Sequence, residues 1–482
     1  MMAGGIWTAN EPKIRPGFYI NFQVAATAQT SAGPRGIVAI PVKANWGPIR
    51  QFVEITNEKE LIDAYTAGTT NGATAYTAIK FALMGGPKKV LAYRLADPTA
   101  AKASITLKDA ASTNVLTLTT KYETTRPFKV TVRNNVIDNN KYDIVLYEDA
   151  TLLYVFTFDK GASVVDNAVV AINNDPGNKW ITATKVANGS GSLAFVSSQS
   201  FTSGNAGISG VTANDYLDAL NAFEGVVFNV LTLDGISDDA LQASVKAWVE
   251  RVRKEGKKVL VVMGGSANDD KNLAVGNARS RGFNHEAVIN VIVGGVFNGV
   301  SYSSAEIAPY VAGLIAGQRL NESITYHVTP FEDVTRKLTN SEVIAALQAG
   351  SLVLVNDGEK VIIEQGINTL SSLHDGQNNQ WKKIRAIRVM DAINDDLLKA
   401  ARDGYIGKIT NNDDGKAALI SACKQYMETL AADDVIMADF VVKLDPQYHG
   451  NPPIAAPDEV YLYWEASITD SMEKIYSTFV VR

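Results

Sequence analysis

Val226-Val227-Phe228-Asn229-Val230-Leu231 is a run of six residues with one polar member. An apolar run of this length without in–out alternation is the pattern of a strand covered on both faces. A helical stretch follows over residues 238–255, with Ser237 as its expected N-cap, Asp238 and Asp239 at its positive end, and Gly256 just past its close. Val259-Leu260-Val261-Val262-Met263 then gives a second strand. Outward from this unit the alternation repeats. C-terminally it predicts a strand over 288–293, a helix over 305–320 and a strand over 324–328. N-terminally it predicts a strand at Gly36-Ile37-Val38-Ala39-Ile40-Pro41-Val42. Helices follow over 58–67, opened by Asn57 with Glu60, and over 73–84, stopped by Gly85-Gly86-Pro87; a strand covers 89–95. Strands alternating with helices of these lengths imply a multidomain α/β chain whose mixed sheet is flanked by helices.

Between 97 and 205 the character changes. Val115-Leu116-Thr117-Leu118-Thr119, Phe128-Lys129-Val130-Thr131-Val132, Tyr142-Asp143-Ile144-Val145-Leu146-Tyr147 and residues 152–158 read as strands. Asn134-Asn135 and Glu148-Asp149 mark turns, and one helix falls at 164–172. This is a β-rich domain inserted into the α/β host, from which the Gly/Ser-rich stretch 188–210 returns. From 351 an α+β unit follows, with a hairpin around Asp357-Gly358, helices over 391–403 and 416–431, and a strand over 435–444. Pro446, Pro452, Pro453 and Pro457 then make a flexible joint before the final segment. The expected domains are an N-terminal arm (1–34), the core (35–96 and 206–350), the insertion (97–205), a C-terminal α+β domain (351–457) and a C-terminal arm (458–482).

Both ends read as strands. Tyr476-Ser477-Thr478-Phe479-Val480-Val481-Arg482 is β-branched and aromatic with no turn after it. Near the other end Phe18, Ile20, Phe22 and Val24 alternate with Tyr19, Asn21 and Gln23, which places the first four on one face. Free terminal strands are an aggregation hazard unless pairing with other copies is their purpose. A second reading, in which both close a sheet inside the same molecule, stays open.

Composition and motifs exclude more than they assign. Net charge is −6 with 20% charged residues and no basic stripe, against a general nucleic-acid binder. No apolar run is long enough to span a membrane, and residues 1–16 lack the apolar core of an export signal. The single cysteine, Cys423, has no disulfide partner and sits in an apolar stretch; it reads as a core residue, with a catalytic thiol as the sharper alternative. The four histidines, His285, His327, His374 and His449, show no metal-ligand spacing, so no metal and no cofactor are expected. Asn411-Asn412-Asp413-Asp414-Gly415 fails as a calcium loop, because Thr410 and Ser421 fall where carboxylates are needed; these residues fit a helix cap. Met263-Gly264-Gly265-Ser266 has the position but not the glycine spacing of a phosphate loop. No catalytic residue is assigned.

The ordered set of segments is more informative than any one motif. Pro16-Gly17-Phe18-Tyr19, Gly33-Pro34-Arg35-Gly36-Ile37-Val38-Ala39, Tyr310-Val311-Ala312-Gly313-Leu314-Ile315-Ala316-Gly317, Gly366-Ile367-Asn368-Thr369-Leu370, Trp381-Lys382-Lys383-Ile384-Arg385, Arg388-Val389-Met390-Asp391, Tyr405-Ile406-Gly407-Lys408 and residues 466–481 together resemble the tail sheath proteins of contractile phage tails and related injection particles, of the kind found in Gram-positive bacteria. The resemblance implies a structural, non-enzymatic subunit that stacks as hexameric rings around an inner tube. It would contract from a metastable extended state to drive that tube through a target envelope. Its implied partners are other copies of itself, the inner tail tube protein, and baseplate and tail terminator proteins, with no nucleic acid and no membrane insertion. Assembly would occur in the host cytoplasm and the product would be a virion or a tail-like particle. The implied arm contacts are Phe18, Ile20, Phe22 and Val24 with Thr478, Phe479, Val480 and Val481, and the implied tube contact is Lys424 with Glu428. The alternative is a soluble α/β enzyme with an inserted β domain, holding an anionic small ligand at the Gly264-Gly265 turn.

Overall fold

The structure is a computed structural model. It describes residues 35–481, together with the backbone of a two-residue parallel pair, β1 (Gly4–Gly5) and β2 (Phe18–Tyr19). Two compact units divide the chain, one formed by 34–387 and one by 388–482 with 1–33.

The larger unit begins with β3 (Ile37–Lys43), β4 (Phe52–Ile55), α1 (Glu58–Tyr65), α2 (Ala75–Met84) and β5 (Lys89–Leu95). Next come the strands and one helix of the insertion: β6 (Lys102–Lys108), β7 (Asn114–Glu123), β8 (Phe128–Asn134), β9 (Lys141–Glu148), β10 (Thr151–Asp159), α3 (Val164–Asn173), β11 (Ile181–Lys185) and β12 (Val196–Ser200). The host resumes with α4 (Ala213–Glu224), β13 (Val230–Thr232), α5 (Asp239–Lys254), β14 (Leu260–Gly264), α6 (Leu273–Phe283) and β15 (Val288–Val291). It ends with the hairpin β16 (Gly295–Phe297) and β17 (Val300–Tyr302), α7 (Ser304–Gly317), β18 (Asp333–Val334), α8 (Asn340–Gln348), and the hairpin β19 (Leu354–Asn356) and β20 (Val361–Ile363).

The host sheet has the order β15-β14-β13-β3-β5-β4, parallel except for the antiparallel edge β4. This is the mixed sheet expected from the sequence. β3 and β5 are buried along nearly their whole length because α2 and α7 form one layer on the sheet and α4 and α5 another. α2 and α7 meet backbone to backbone: a Cβ on Gly313 would run into the carbonyl oxygen of Ala82, so only glycine fits that crossing. The insertion is a sandwich of two antiparallel sheets, β10-β9-β8-β12 and β11-β7-β6, with α3 packed on β10 and β11. Leu116, Leu118, Val130, Ile144 and Phe156 are part of its core.

The insertion is joined to the host by more than its two chain crossings. Trp46, from the loop after β3, lies in the insertion's core, edge-on to Tyr122 at 5.2 Å and 4.7 Å below the Arg126 guanidinium. Asn45 accepts from Thr124 Oγ1 through its carbonyl at 2.7 Å and from the Thr125 amide through its side chain at 2.7 Å. Arg94, at the end of β5, is completely buried. It donates to the carbonyls of Gly47 at 2.5 Å, Glu123 at 2.9 Å and Ala206 at 3.0 Å, one each from the host, the insertion and the returning chain. Burial pushes its guanidinium down to about 10, still charged at neutral pH, with Glu123 opposing the shift.

Several expected elements move. The first quoted run is not one strand: Val227 is exposed and only β13 pairs. Lys257 Nζ gathers the carbonyls of Phe223, Glu224 and Val226, holding this stretch as the cap of α4 and delaying the strand. Asp238, not Ser237, caps α5, its carboxylate accepting from Leu241 N at 2.7 Å. Residues 324–328 make no strand; Tyr326 adopts φ 59° and only Val328 forms an isolated bridge, to Ile362. Residues 351–387, expected with the C-terminal domain, belong to the larger unit, where Leu352 N bonds Asn290 O and Thr369 N bonds Val288 O.

Replacing Arg94 with Met leaves three buried carbonyls without donors. The expected loss is about 2–4 kcal/mol, reduced from the sum of three bonds because a buried cation is removed as well. Urea unfolding of the two proteins measures it.

Candidate assembly surfaces

The smaller unit contains α9 (Ile384–Ala400) from Arg388 onward, α10 (Asp413–Ala432) and the antiparallel hairpin β21 (Val441–Leu444) and β22 (Leu462–Glu465). A five-residue π-helical turn, Ala401–Tyr405, follows α9. Asn412 caps α10 by accepting from Gly415 N at 2.8 Å, so the Asn/Asp cluster is a helix start. α10 buries Ala422, Cys423, Tyr426, Met427 and Leu430, and Tyr426 OH donates to Asp396 of α9 at 2.6 Å. Lys424 and Glu428 lie on the opposite, exposed face of α10. Burial pushes the Cys423 thiol up to about 11, which keeps it protonated and makes it core, not nucleophile.

The hairpin is the acceptor-shaped element of this unit. Its sheet has two strands, so each strand keeps one outer edge without a strand partner among the described residues. The strand expected over 435–444 pairs only at Val441–Leu444 and, after a break, through an isolated Ile436–Ile468 bridge. The connection between β21 and β22 is not the loose joint its prolines suggest. Tyr448 and Tyr461 stack at 3.9 Å, His449 Nε2 accepts from Tyr461 N at 2.8 Å, and Asn411 Nδ2 donates to the carbonyls of Pro457 at 2.8 Å and Glu459 at 3.1 Å.

The C-terminal arm begins where this hairpin ends. Thr469 N, bonded to Val435 O, is the last contact of the ladder. Beyond it residues 470–481 form no strand and have no strand partner among the described residues. Met472, Ile475, Tyr476, Phe479, Val480 and Val481 stand in solvent, Phe479 at 89% exposure and Val480 at 73%. Among the described residues this end closes no sheet inside the same molecule. Thr478, Phe479, Val480 and Val481 share this arm. Of the N-terminal set, Phe18 lies in β2, described by its backbone alone, and Ile20, Phe22 and Val24 fall outside the described residues.

The Gly264-Gly265 turn is already filled. Gly265 N donates to Ser304 Oγ at 2.7 Å and Ser266 N to Asp269 Oδ2 at 3.0 Å. Asp270 accepts from Ser304 N at 2.7 Å and from Ser304 Oγ at 2.5 Å. A turn whose amides serve internal acceptors and whose lining is acidic does not cradle a phosphate. Burial pushes the Asp270 carboxyl up to about 6. Among the described residues no group of three His, Cys, Asp or Glu is placed to hold a metal ion, and no helix is long and apolar enough to cross a membrane.

Comparison with known proteins covers almost the whole described chain. Residues 35–95 match the N-terminal region of domain III of the Gp18 tail sheath protein, 96–206 the phage tail sheath β-sandwich domain, 209–369 the phage tail sheath central domain and 376–482 the phage tail sheath C-terminal domain. The Bacillus subtilis phage-like element PBSX protein XkdK is 28% identical over 453 residues, covering 89% of this chain and 90% of that protein. The sheath tail protein of Desulfitobacterium hafniense is 30% identical, with a TM-score of 0.74, covering 96% of this chain and 99% of its own. The contracted helical sheath of the anti-feeding prophage shares the fold, with a TM-score of 0.54 at 12% identity over 98% of this chain and 99% of its own.

Two outcomes follow. Residues 477–481 are exposed and have no strand partner among the described residues, so deleting residues 477–482 leaves the melting temperature of the dispersed subunit within about 1 °C; calorimetry checks this. Asp270 titrates higher in the folded than in the unfolded chain. Its contribution is present below an unfolded pKa near 4 and is lost as pH rises through about 6. Relative to Asp270→Asn, the wild type is therefore weaker at pH 7.5 than at pH 4 by roughly 1–3 kcal/mol, measured by urea unfolding at both pH values.

Proposed function

Because the chain belongs to the phage tail sheath protein family and so has a structural role in a tail sheath, we propose that its copies stack as hexameric rings around an inner tube and contract to drive it through a target envelope. The observation that carries this reading is the C-terminal arm: six large apolar side chains in solvent, on a segment with no strand partner among the described residues, beside a hairpin whose two outer edges are likewise unpaired there. Covering each such side chain contributes about 1.5–3 kcal/mol, and each added backbone hydrogen bond about 0.5–1.5 kcal/mol. Thr478, Phe479, Val480 and Val481 pair with a neighbour's hairpin, and Phe18, Ile20, Phe22 and Val24 add a second arm. An arm given to one neighbour while another is received from a different one is a heterologous contact, which propagates as an open filament.

Contraction on this reading needs no nucleotide. The extended lattice is the higher-energy state, and a small free-energy difference per subunit, summed over many copies, supplies the work once a baseplate partner releases it. The C-terminal α+β domain faces the tube, through the wet face of α10 that carries Lys424 and Glu428, and the inserted domain lies outward. Tail tube, baseplate and terminator proteins are its partners. Copies assemble in the host cytoplasm and end in a virion or tail-like particle.

Negative-stain electron microscopy of the full-length chain, mixed with its tube protein where needed, is expected to show hollow cross-striated cylinders. The chain lacking residues 477–482 is expected to stay folded and to form none. Normal cylinders from the truncated chain would overturn the arm assignment.

A further inference from the structure

The β21–β22 hairpin has two unlike faces. Val442 and Trp464, opposite each other in register, share one face, and β21 packs on α10, leaving Val442 buried. The other face carries Val441 opposite Glu465 and Lys443 opposite Tyr463, with Val441 36% and Tyr463 40% exposed. Lys443 Nζ lies 4.9 Å from the Tyr463 ring centre, and Tyr463 OH donates to Glu465 Oε2 at 3.4 Å. Met437, on the hairpin's continuation, is half exposed.

A strand added to an edge of this hairpin must point alternate side chains to these two faces. The C-terminal arm is apolar in both phases: Ile475, Phe479 and Val481 fall on one face, and Tyr476 and Val480 on the other. A slip of one residue changes which set faces outward but not the result. In either register at least two large apolar side chains join Val441 and Tyr463 on the face away from α10. The N-terminal arm differs. Its alternation of Phe18, Ile20, Phe22 and Val24 with Tyr19, Asn21 and Gln23 sets four apolar side chains against two amides and a tyrosine, which suits a strand with one wet face.

Resting on the strand-exchange reading above, we infer that the outer face of the shared sheet is covered as well, by a second copy of this chain packed on Val441 and Tyr463. A copy, and not a different protein, fits because the contact is continuous with the arm exchange. The arm already brings a copy to this hairpin, and in a helical polymer the same contact repeats at every subunit. Lys443 and Glu465, of opposite charge, share this face and both contact Tyr463, so a second copy covering it buries neither charge alone.

The chain's only cysteine is buried, so one engineered thiol reports one site. In a Cys423→Ala background, Tyr463→Cys and, separately, Phe479→Cys are labelled with maleimide as dispersed subunits and as assembled cylinders. The expected result is labelling at least tenfold slower at both positions in cylinders, and, when a maleimide–benzophenone is attached at position 463 before assembly, illumination of the cylinders joins two copies of the chain. Protection at 479 with unchanged labelling at 463 overturns the inference and leaves strand exchange standing. Unchanged labelling at both overturns the two together. Cross-linking of position 463 to the tube protein overturns the choice of a second copy. Val441→Cys repeats the test at a position whose truncation removes fewer contacts.

Discussion

The body of this protein depends on a buried cation whose hydrogen bonds go to backbone carbonyls. Arg94 ends the strand that pairs with both β3 and β4, and its guanidinium reaches the loop after β3, the end of β7 and the chain returning from the insertion. A guanidinium taken out of water is costly unless its donors are satisfied in fixed geometry. The carbonyls of Gly47, Glu123 and Ala206 can serve its two terminal NH2 groups only while host and insertion keep one relation. Trp46 adds to this by lending a host side chain to the insertion's core. Core and insertion thus form one body, and on the proposed function a moving subunit carries the inserted sandwich with it.

The smaller unit follows the opposite rule. In the larger unit even the amides of the Gly264-Gly265 turn serve internal acceptors. The β21–β22 hairpin keeps both outer edges free of strand partners among the described residues, and the arm that follows it keeps its apolar side chains in water. Exposed edges beside an exposed apolar strand are what soluble monomers avoid. Their retention here makes sense where the missing partner is another copy. The tied loop between β21 and β22 fits the same logic: on the proposed function the Tyr448–Tyr461 stack and the His449 bond keep the hairpin in shape for an added strand.

Legibility in the sequence followed the strength of local signals. The strand Lys89–Leu95 and the four strands at 115–158 were readable because their residues alternate or run apolar between clear turns. α4, α6 and α8 went unread, and so did the strands β4, β6, β11, β12, β16 and β17. β6 and β11 are Thr- and Lys-rich edges of a small sheet, and α6 carries two glycines, so only tertiary packing selects their state. The prolines of 446–457 were misread as a loose joint because the aromatic stack that fastens them is a contact across the loop, absent from any local pattern. The C-terminal arm was legible as a strand, but whether it would pair inside its own molecule was not. That question turns on tertiary placement, which no local pattern carries: among the described residues the arm leaves its own hairpin's free edges unpaired.

The arm's construction bears on how a lattice stays joined while its bodies move. Six residues, 470–475, separate the last bond of the arm's own hairpin at Thr469 from Tyr476. Fully extended they span about 20 Å. On the proposed function, pairing at residues 476–481 uses backbone bonds whose geometry is set within the acceptor sheet and is indifferent to the orientation of the donor's body. Within that 20 Å the donor can rotate or shift while every bond of the donated strand is kept. A larger displacement must draw on the next reserve, the single Ile436–Ile468 bridge and the two backbone bonds beside it, before it reaches the β21–β22 ladder. The weak continuation of the hairpin is therefore well placed to yield first, and its loss would lengthen the tether without breaking either the donor's own sheet or the shared one.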